Sequence, residues 1–277
     1  MSVSADADLW LAACKEAAVG ASAAIDAAKR EGTLLDETGD VGAGGDRTLR
    51  IDALAEEAVF AALLALSARG ASFTVVSEER GCVAYGDGGP VRVAVDPIDG
   101  SLNAKREAGR ATMSIAISGG PTVADVEVAF VWDFERCEAF HAVRGHGAFL
   151  DGTPLFGPER ERRVADGRLE LLCIETSDAR LTAQFGARLA DVAYRWRILG
   201  SIACALCQVA TPRVDAMVNV SECRVIDAAA AALIVRESGG TVLFSGGDDL
   251  PLELASRTTV AAARTVDAAS QLLELLA

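Results

Sequence analysis

The chain has 277 residues, of which 51% are hydrophobic, enough for one large domain or two lobes and too apolar for a disordered chain. Its 26 Lys and Arg against 40 Asp and Glu leave a formal net charge of -14, which argues against nucleic-acid binding. No apolar run approaches the roughly 18–20 residues of a membrane helix, "MSVSADADLWLAACKEAAVG" lacks the basic start of an export signal, and seven scattered cysteines fit reduced thiols, so a cytoplasmic protein is expected.

In chain order, residues 9–30 are alanine-rich and predict an amphipathic helix. The turn-rich "GTLLDETGDVGAGGDRT" follows, and then a second long helix, "LRIDALAEEAVFAALLALSARG", closed by Gly70. "SFTVVSEE" and "VRVAVD" predict two strands, each ending in carboxylates. From Thr112 the pattern becomes a run of strands, "TMSIAIS", "DVEVAFVWD", "CEAFHAV" and "RGHGAFLDGTPL". The charged, aperiodic "GPERERRVADG" is the best lobe boundary, dividing an N-terminal lobe (1–157) from a C-terminal one (158–277).

Beyond it, strands and helices alternate: "LELLCIET", "SDARLTAQFGARLA", "YRWRIL", "SIACALCQVA", "VDAMVNV", "IDAAAAALIVRESGG", "TVLFS", "TTVAAA" and "VDAASQLLELLA". Helices followed by clustered strands predict an α+β first lobe, and the alternation predicts an α/β second lobe.

Acidic residues gather at element ends: Asp52 and Asp227 at helix starts, Glu78 and Glu79 after a strand, Asp96 and Asp99 in "VAVDPIDGSLN". A carboxylate at a helix start is favourable on electrostatic grounds alone, and Asp-Pro-Ile-Asp-Gly-Ser has the composition of a surface turn. The other reading is a device holding a metal against a phosphate. Pro97 fixes the turn, Gly100 lets backbone approach a ligand, and the N–H groups of Gly100 and Ser101 face an anion. Mg²⁺ takes such carboxylates and fills its shell with water and substrate phosphate.

"VSEERG", "VDPIDGSLN" and "RVIDAAAAALIVRESGG" resemble, in order and spacing, the motifs of the inositol monophosphatase superfamily of Mg²⁺-dependent, lithium-sensitive phosphatases. "GAGGDRTLRIDALAEEA", "RGHGAFLDGTPL" and "RWRILGSIACALCQVA" fit further motifs, so the resemblance runs from about Gly42 onward. "GAGGDRT", "GSLNAKREAG" and "CRVID" are most similar to archaeal-type members acting on both inositol monophosphate and fructose-1,6-bisphosphate.

The resemblance implies a layered αβαβα sandwich with the site between the lobes, a homodimer, and two to three Mg²⁺ ions, with Mn²⁺ as a substitute. It implies that Glu78, Asp96 and the Ile98 carbonyl hold one metal and that Asp96, Asp99 and Asp227 hold a second. Glu78 would serve a third through waters. Asp52 and Ser101, the latter standing for the family's Thr, would orient and deprotonate the attacking water. Asp99, Gly100, Ser101, Gly200, Ser201, Asn219 and Asp227 would contact substrate. Ile226 replaces the family's Trp, Ile202 a small residue near the sugar, and Asn219 an acidic one in "NVSECR".

Arg197, in a strand leading to Gly200, is a candidate for a distal phosphate, as are Lys105 and Arg106. His141 and His146 lack the helical spacing of a zinc pair, and Cys204-x-x-Cys207 on a helix favours packing. The function expected is hydrolysis of a sugar or inositol phosphate, fructose-1,6-bisphosphate or inositol-1-phosphate. The alternatives are a 3′-phosphoadenosine 5′-phosphate phosphatase and a catalytically silent metal-binding protein, the second disfavoured by retention of both Asp52 and Ser101.

Overall fold

A computed structural model describes residues 3–45, 47–176 and 178–276. The chain opens with α1 (Ala7–Glu31), whose Trp10, Cys14, Ala17, Ala21, Ile25 and Ala28 recur at helical spacing and are all buried. Then come β1 (Glu37–Val41) and β2 (Arg47–Leu49), an antiparallel hairpin, and α2 (Arg50–Ser67), which packs on α1. The stretch expected only to turn therefore contains a hairpin. β1 is exposed along its whole length, so no apolar alternation signals it.

Eight strands form the larger sheet: β3 (Phe73–Ser77), β4 (Gly81–Tyr85), β5 (Arg92–Asp99), β6 (Thr112–Ser118), β7 (Val126–Asp133), β8 (Glu138–Val143), β9 (Gly147–Leu150) and β10 (Thr153–Pro154). Their order is β10-β9-β8-β7-β6-β5-β3-β4, antiparallel except where β3 runs beside β5. The short α3 (Ser101–Arg106) leaves the end of β5. Nothing in the apolar pattern signals it.

The remaining chain alternates as expected. It contributes β11 (Leu169–Glu175), α4 (Ala179–Val192), β12 (Ala193–Arg197), α5 (Ile202–Ala210), β13 (Ala216–Asn219), β14 (Cys223–Arg224) and α6 (Val225–Glu237). It ends with β15 (Thr241–Phe244), β16 (Arg257–Thr258), β17 (Val260–Ala263) and α7 (Val266–Glu274). The second sheet has the order β12-β11-β13-β17-β15, with β12, β11 and β13 parallel, while β14 and β16 pair separately.

Strand alternation builds the layers. Val75, Val93, Val95, Met113 and Ile115 face α1 and α2, while Val76, Ala94, Ala116 and Ala129 face α5 and α6 in a core shared with Met217, Val242 and Val260 of the second sheet. On that sheet's far side Leu172, Ile174 and Val218 pack with Phe185 and Leu189 of α4 and Leu272 of α7. The result is the expected αβαβα sandwich.

The middle helix decides how close the sheets come. α6 is buried on every side from Val225 to Val235, as a helix held between two sheets must be. Its run Ala228–Ala232 meets alanines of the larger sheet, small residue against small residue. Ala230→Leu should therefore overpack the middle layer and lower unfolding free energy by about 1–3 kcal/mol, read from the midpoint of urea denaturation.

Candidate active site

The carboxylates meet because of strand register. Ser77 of β3 stands beside Val95 of β5 in parallel pairing, so Glu78 emerges next to Asp96. Asp96 and Asp99 pair with Ser114 and Thr112 of β6, three residues on one strand against two on the other. That extra residue is a bulge around Pro97. Without it, residues three apart would point to opposite faces of the sheet.

Two further acids come from helix starts. In α2, Asp52 Oδ2 accepts the Leu49 N–H at 3.1 Å, and in α6, Asp227 Oδ2 accepts the Arg224 N–H at 3.2 Å. Glu56, one turn into α2, anchors the turn carrying Glu78. It accepts the Ser77 hydroxyl at 2.5 Å and the Arg80 N–H at 3.0 Å, and pairs with the Arg80 guanidinium at 3.0 Å.

Burial, reinforced by repulsion from neighbouring carboxylates, pushes Glu78, Asp96, Asp99 and Asp227 upward. Glu78 is raised to about 7 by burial, against the Arg224 guanidinium, whose Nη1 lies 2.6 Å from Glu78 Oε1. Asp227 is also raised to about 7, by burial and then by Asp99. Asp99 reaches about 7 through burial, although its Oδ2 accepts the Ser201 hydroxyl at 2.7 Å and the Ala203 N–H at 2.6 Å. Asp96 is held well above the ordinary carboxyl value by burial, then by Glu78, Asp227 and Asp99.

A cavity of about 560 Å³ opens over this cluster. Its wall includes Asp99, Gly100, Ser101, Asn103, Glu175, Gly200, Ser201, Arg224, Asp227 and Arg257. Gly100 has φ 96°, and a Cβ there would stand 2.8 Å from the Arg110 carbonyl and 2.9 Å from that of Gly200. Only glycine suits both the backbone and the close approach. Asn103 Nδ2 bonds the carbonyls of Arg110 and Leu199 at 2.7 and 2.6 Å, so α3 is tied to the loop before α5.

The expected residues fall into two groups. Asp99, Gly100, Ser101, Gly200, Ser201 and Asp227 line the cavity. The Ser101 hydroxyl donates to the Ile98 carbonyl at 2.9 Å, and the Ser201 hydroxyl lies between Asp99 and Thr112. Asn219 and Arg197 are not in the cavity wall. Asn219 is fully buried, with its amide bonded to the Val260 N–H and, at 2.5 Å, to the Ser221 carbonyl, so it fastens β13 to β17 and to the following turn. Arg197 is exposed at the end of an edge strand and bonds the Trp196 carbonyl at 2.7 Å.

The remaining candidates lie elsewhere. Lys105 and Arg106 are exposed in the last turn of α3. His141 stacks on Phe149 with ring centroids 5.0 Å apart, and His146 is exposed. Cys204 and Cys207 are buried in α5, and burial pushes both thiols up, consistent with packing. Asp46 of "GAGGDRT" lies outside the described residues.

Sequence reasoning missed Glu175, Arg224 and Arg257 as residues of the cavity. Glu175 accepts the N–H groups of Leu199 and Gly200, both at 2.8 Å, and so holds the loop presenting Ser201. Its signal was available: "LELLCIET" is a third strand ending in a carboxylate, like "FTVVSEE" and "VRVAVD". Arg257 enters from β16 and carried no local signal.

The profile of the inositol monophosphatase family matches residues 6–277. The chain belongs to the inositol monophosphatase family. A Methanothermobacter thermautotrophicus fructose-1,6-bisphosphatase/inositol-1-monophosphatase is 30% identical over 248 residues, 85% of each chain. A Methanococcus maripaludis bifunctional NADP phosphatase/NAD kinase is 26% identical over 246 residues, 79% of this chain and 40% of that one. Among solved structures, a Pyrococcus horikoshii protein with similarities to inositol-1 monophosphatase superposes with a TM-score of 0.76 at 23% identity, covering 99% of this chain and 98% of that one. With the family shown, the chain is a phosphoric monoester hydrolase.

Members of the inositol monophosphatase family generally use Mg²⁺, and the donors fit a hard cation. They are buried oxygens in excess of nearby positive charge, and Asp227 Oδ1 is buried with no hydrogen-bond partner among the described residues. Among the described residues, no three acidic, His or Cys side chains form a ready-made cation cage.

Raised carboxyls make the cation-free protein sensitive to base. The folded chain holds these protons up to about pH 7, whereas the unfolded chain loses them near 4. Their contribution to stability is therefore full below about pH 4 and is lost as pH rises through about 7. In chelator the melting temperature should fall between about pH 5 and about pH 8, and excess Mg²⁺ should flatten that slope.

Proposed function

We propose that this chain hydrolyses the phosphate monoester of a small polyol or sugar, with Mg²⁺ as the cofactor and with fructose-1,6-bisphosphate and inositol-1-phosphate as the leading substrates. The observation that carries this reading is the cluster of Glu78, Asp96, Asp99 and Asp227 under a cavity whose floor continues into Gly100 and Ser101. The likeness to a fructose-1,6-bisphosphatase/inositol-1-monophosphatase over 85% of the chain supports it. The cavity wall favours a polyol over a nucleotide. It has no aromatic side chain among the described residues and is rich in hydroxyl, carboxylate and guanidinium groups.

In this reading Glu78, Asp96, Asp99, Asp227 and the Ile98 carbonyl hold the cation. When bound, Mg²⁺ supplies Lewis-acid charge that offsets the charge of the transferring phosphoryl group. The chain's own groups do the rest. The N–H groups of Gly100 and Ser101 bind phosphate oxygens. Asp52, fixed through Oδ2 by the Leu49 N–H, orients the attacking water with Ser101 and takes its proton. The water oxygen bonds to phosphorus as the ester P–O bond breaks, and the leaving alkoxide takes a proton from solvent.

Phosphate release with Mg²⁺ from fructose-1,6-bisphosphate, inositol-1-phosphate and 3′-phosphoadenosine 5′-phosphate tests the proposal. The two polyol esters should be preferred at least about tenfold, and Asp96→Asn should abolish release while circular dichroism stays native. Preference for the adenosine compound would favour the nucleotide reading, and absence of release from all three would favour a silent protein.

Arg257 stands at the cavity wall, close enough to Asp227 to lower its pKa, and so fits a second phosphate better than Arg197 does. Arg257→Ala should reduce kcat/KM for fructose-1,6-bisphosphate at least about tenfold more than for inositol-1-phosphate. Arg197→Ala should affect both equally. The same selective loss from Arg197→Ala would return the distal phosphate to that residue.

A further inference from the structure

Arg224 immediately precedes α6, three residues before Asp227, yet its side chain reaches across to the larger sheet's end. Its Nη1 stands 2.6 Å from Glu78 Oε1, with both side chains largely buried. Its Nη2 donates to the Gly44 carbonyl at 3.2 Å. The loop between β1 and β2 is seated on the same pair, through the Gly44 N–H on the Glu78 carbonyl at 2.7 Å and the Ala43 N–H on that of Glu79 at 2.9 Å. The fit leaves no spare room. A Cβ on Gly44 would lie 2.8 Å from Arg224 Nη2 and 3.0 Å from Glu78 Cγ.

The guanidinium is also the positive charge that bears on Glu78, Asp96 and Asp227 together. It occupies Oε1 of Glu78, one of the two oxygens this carboxylate offers a cation, and among the described residues the carboxylates form no ready-made cage. Two cations that share one carboxylate in a partly desolvated site repel each other.

Resting on the metal-dependent reading above, we propose that Arg224 is a built-in competitor of the divalent cation at Glu78. Without the cation it offsets part of the carboxylates' charge and ties the Gly44 carbonyl to Glu78. A cation entering at Glu78 displaces the guanidinium and with it the clamp on Gly44. Arg224 thus sets the metal affinity of the site and is a positioning residue.

Two variants test this by different routes. Arg224→Gln removes the charge. Gly44→Ala keeps the charge but pushes Nη2 out of its seat, at a glycine whose backbone needs no positive φ. Mn²⁺ binding to each full-length chain is measured by isothermal titration calorimetry at about pH 8, beside wild type and Asp96→Asn. Both variants should bind Mn²⁺ at least about fivefold more tightly than wild type, and in chelator the amides of residues 42–45 should exchange hydrogen faster in Arg224→Gln. Unchanged or weaker Mn²⁺ binding in both folded variants would overturn the competition. If wild type binds and Asp96→Asn does not, that failure touches Arg224 alone. If wild type binds no Mn²⁺, the metal-dependent reading falls first.

Discussion

Everything in this structure answers to one cost, the burial of four carboxylates of like charge in one place. Each loses hydration and gains repulsion, and the local compensation is unequal. Asp99 has a hydroxyl and a backbone N–H at the start of α5, Glu78 has the Arg224 guanidinium, and Asp227 has the N–H at the start of its own helix. Asp96, in the middle, has the Ile98 N–H at 3.0 Å and is held well above the ordinary carboxyl value by burial and then by Glu78, Asp227 and Asp99. Three apolar cores offset what the site costs. The site is held in spite of its energetics, and Asp227 Oδ1, buried with no hydrogen-bond partner among the described residues, is one atom that the proposed cation would compensate.

Much of this was legible in the chain because the layers impose period and burial together. A strand covered on both faces must be apolar at its centre, as "VAV" of β5 and "IAI" of β6 are. A helix between sheets must lack a polar face, and "VIDAAAAALIV" does. The carboxylates stood out for the same reason, as charges ending apolar strands where solvation is not available. What had no such signal was structure that lies on the surface. The β1–β2 hairpin is polar and exposed, and α3 is too short for a period to form.

The substrate wall was harder to read than the metal cluster because it is assembled from distant pieces. Residues 99–103, 175–176, 200–202, 221–224, 227 and 257 converge only in three dimensions. Two residues expected at the substrate are absent from the cavity wall on that account. Asn219 sits near Asp227 in sequence, but it lies in a β13 position buried on both faces, where an amide must satisfy backbone neighbours. Arg197 precedes Gly200 by three residues, but it ends an edge strand and stays exposed. Proximity along the chain was a good guide for Asp96 and Asp99, where a bulge re-phases the side chains, and a poor one where nothing redirects them.

The charge balance constrains the order of events in the proposed reaction. A chain with net charge -14 repels an anionic ester at long range, but salt screens that field within about 8–10 Å. The local charge is therefore what matters, and around Asp99 and Asp227 it is negative, relieved by the guanidiniums of Arg224 and Arg257. Once ionised, four carboxylates outweigh two guanidiniums. In the proposed reaction the cavity must gain positive charge before a phosphate ester can settle on Gly100 and Ser101, so cation and substrate binding are coupled with the cation first. In that reading Arg257 and Arg224, both in the cavity wall, have distinct roles: one meets the anion, and the other holds the place of the cation until it arrives.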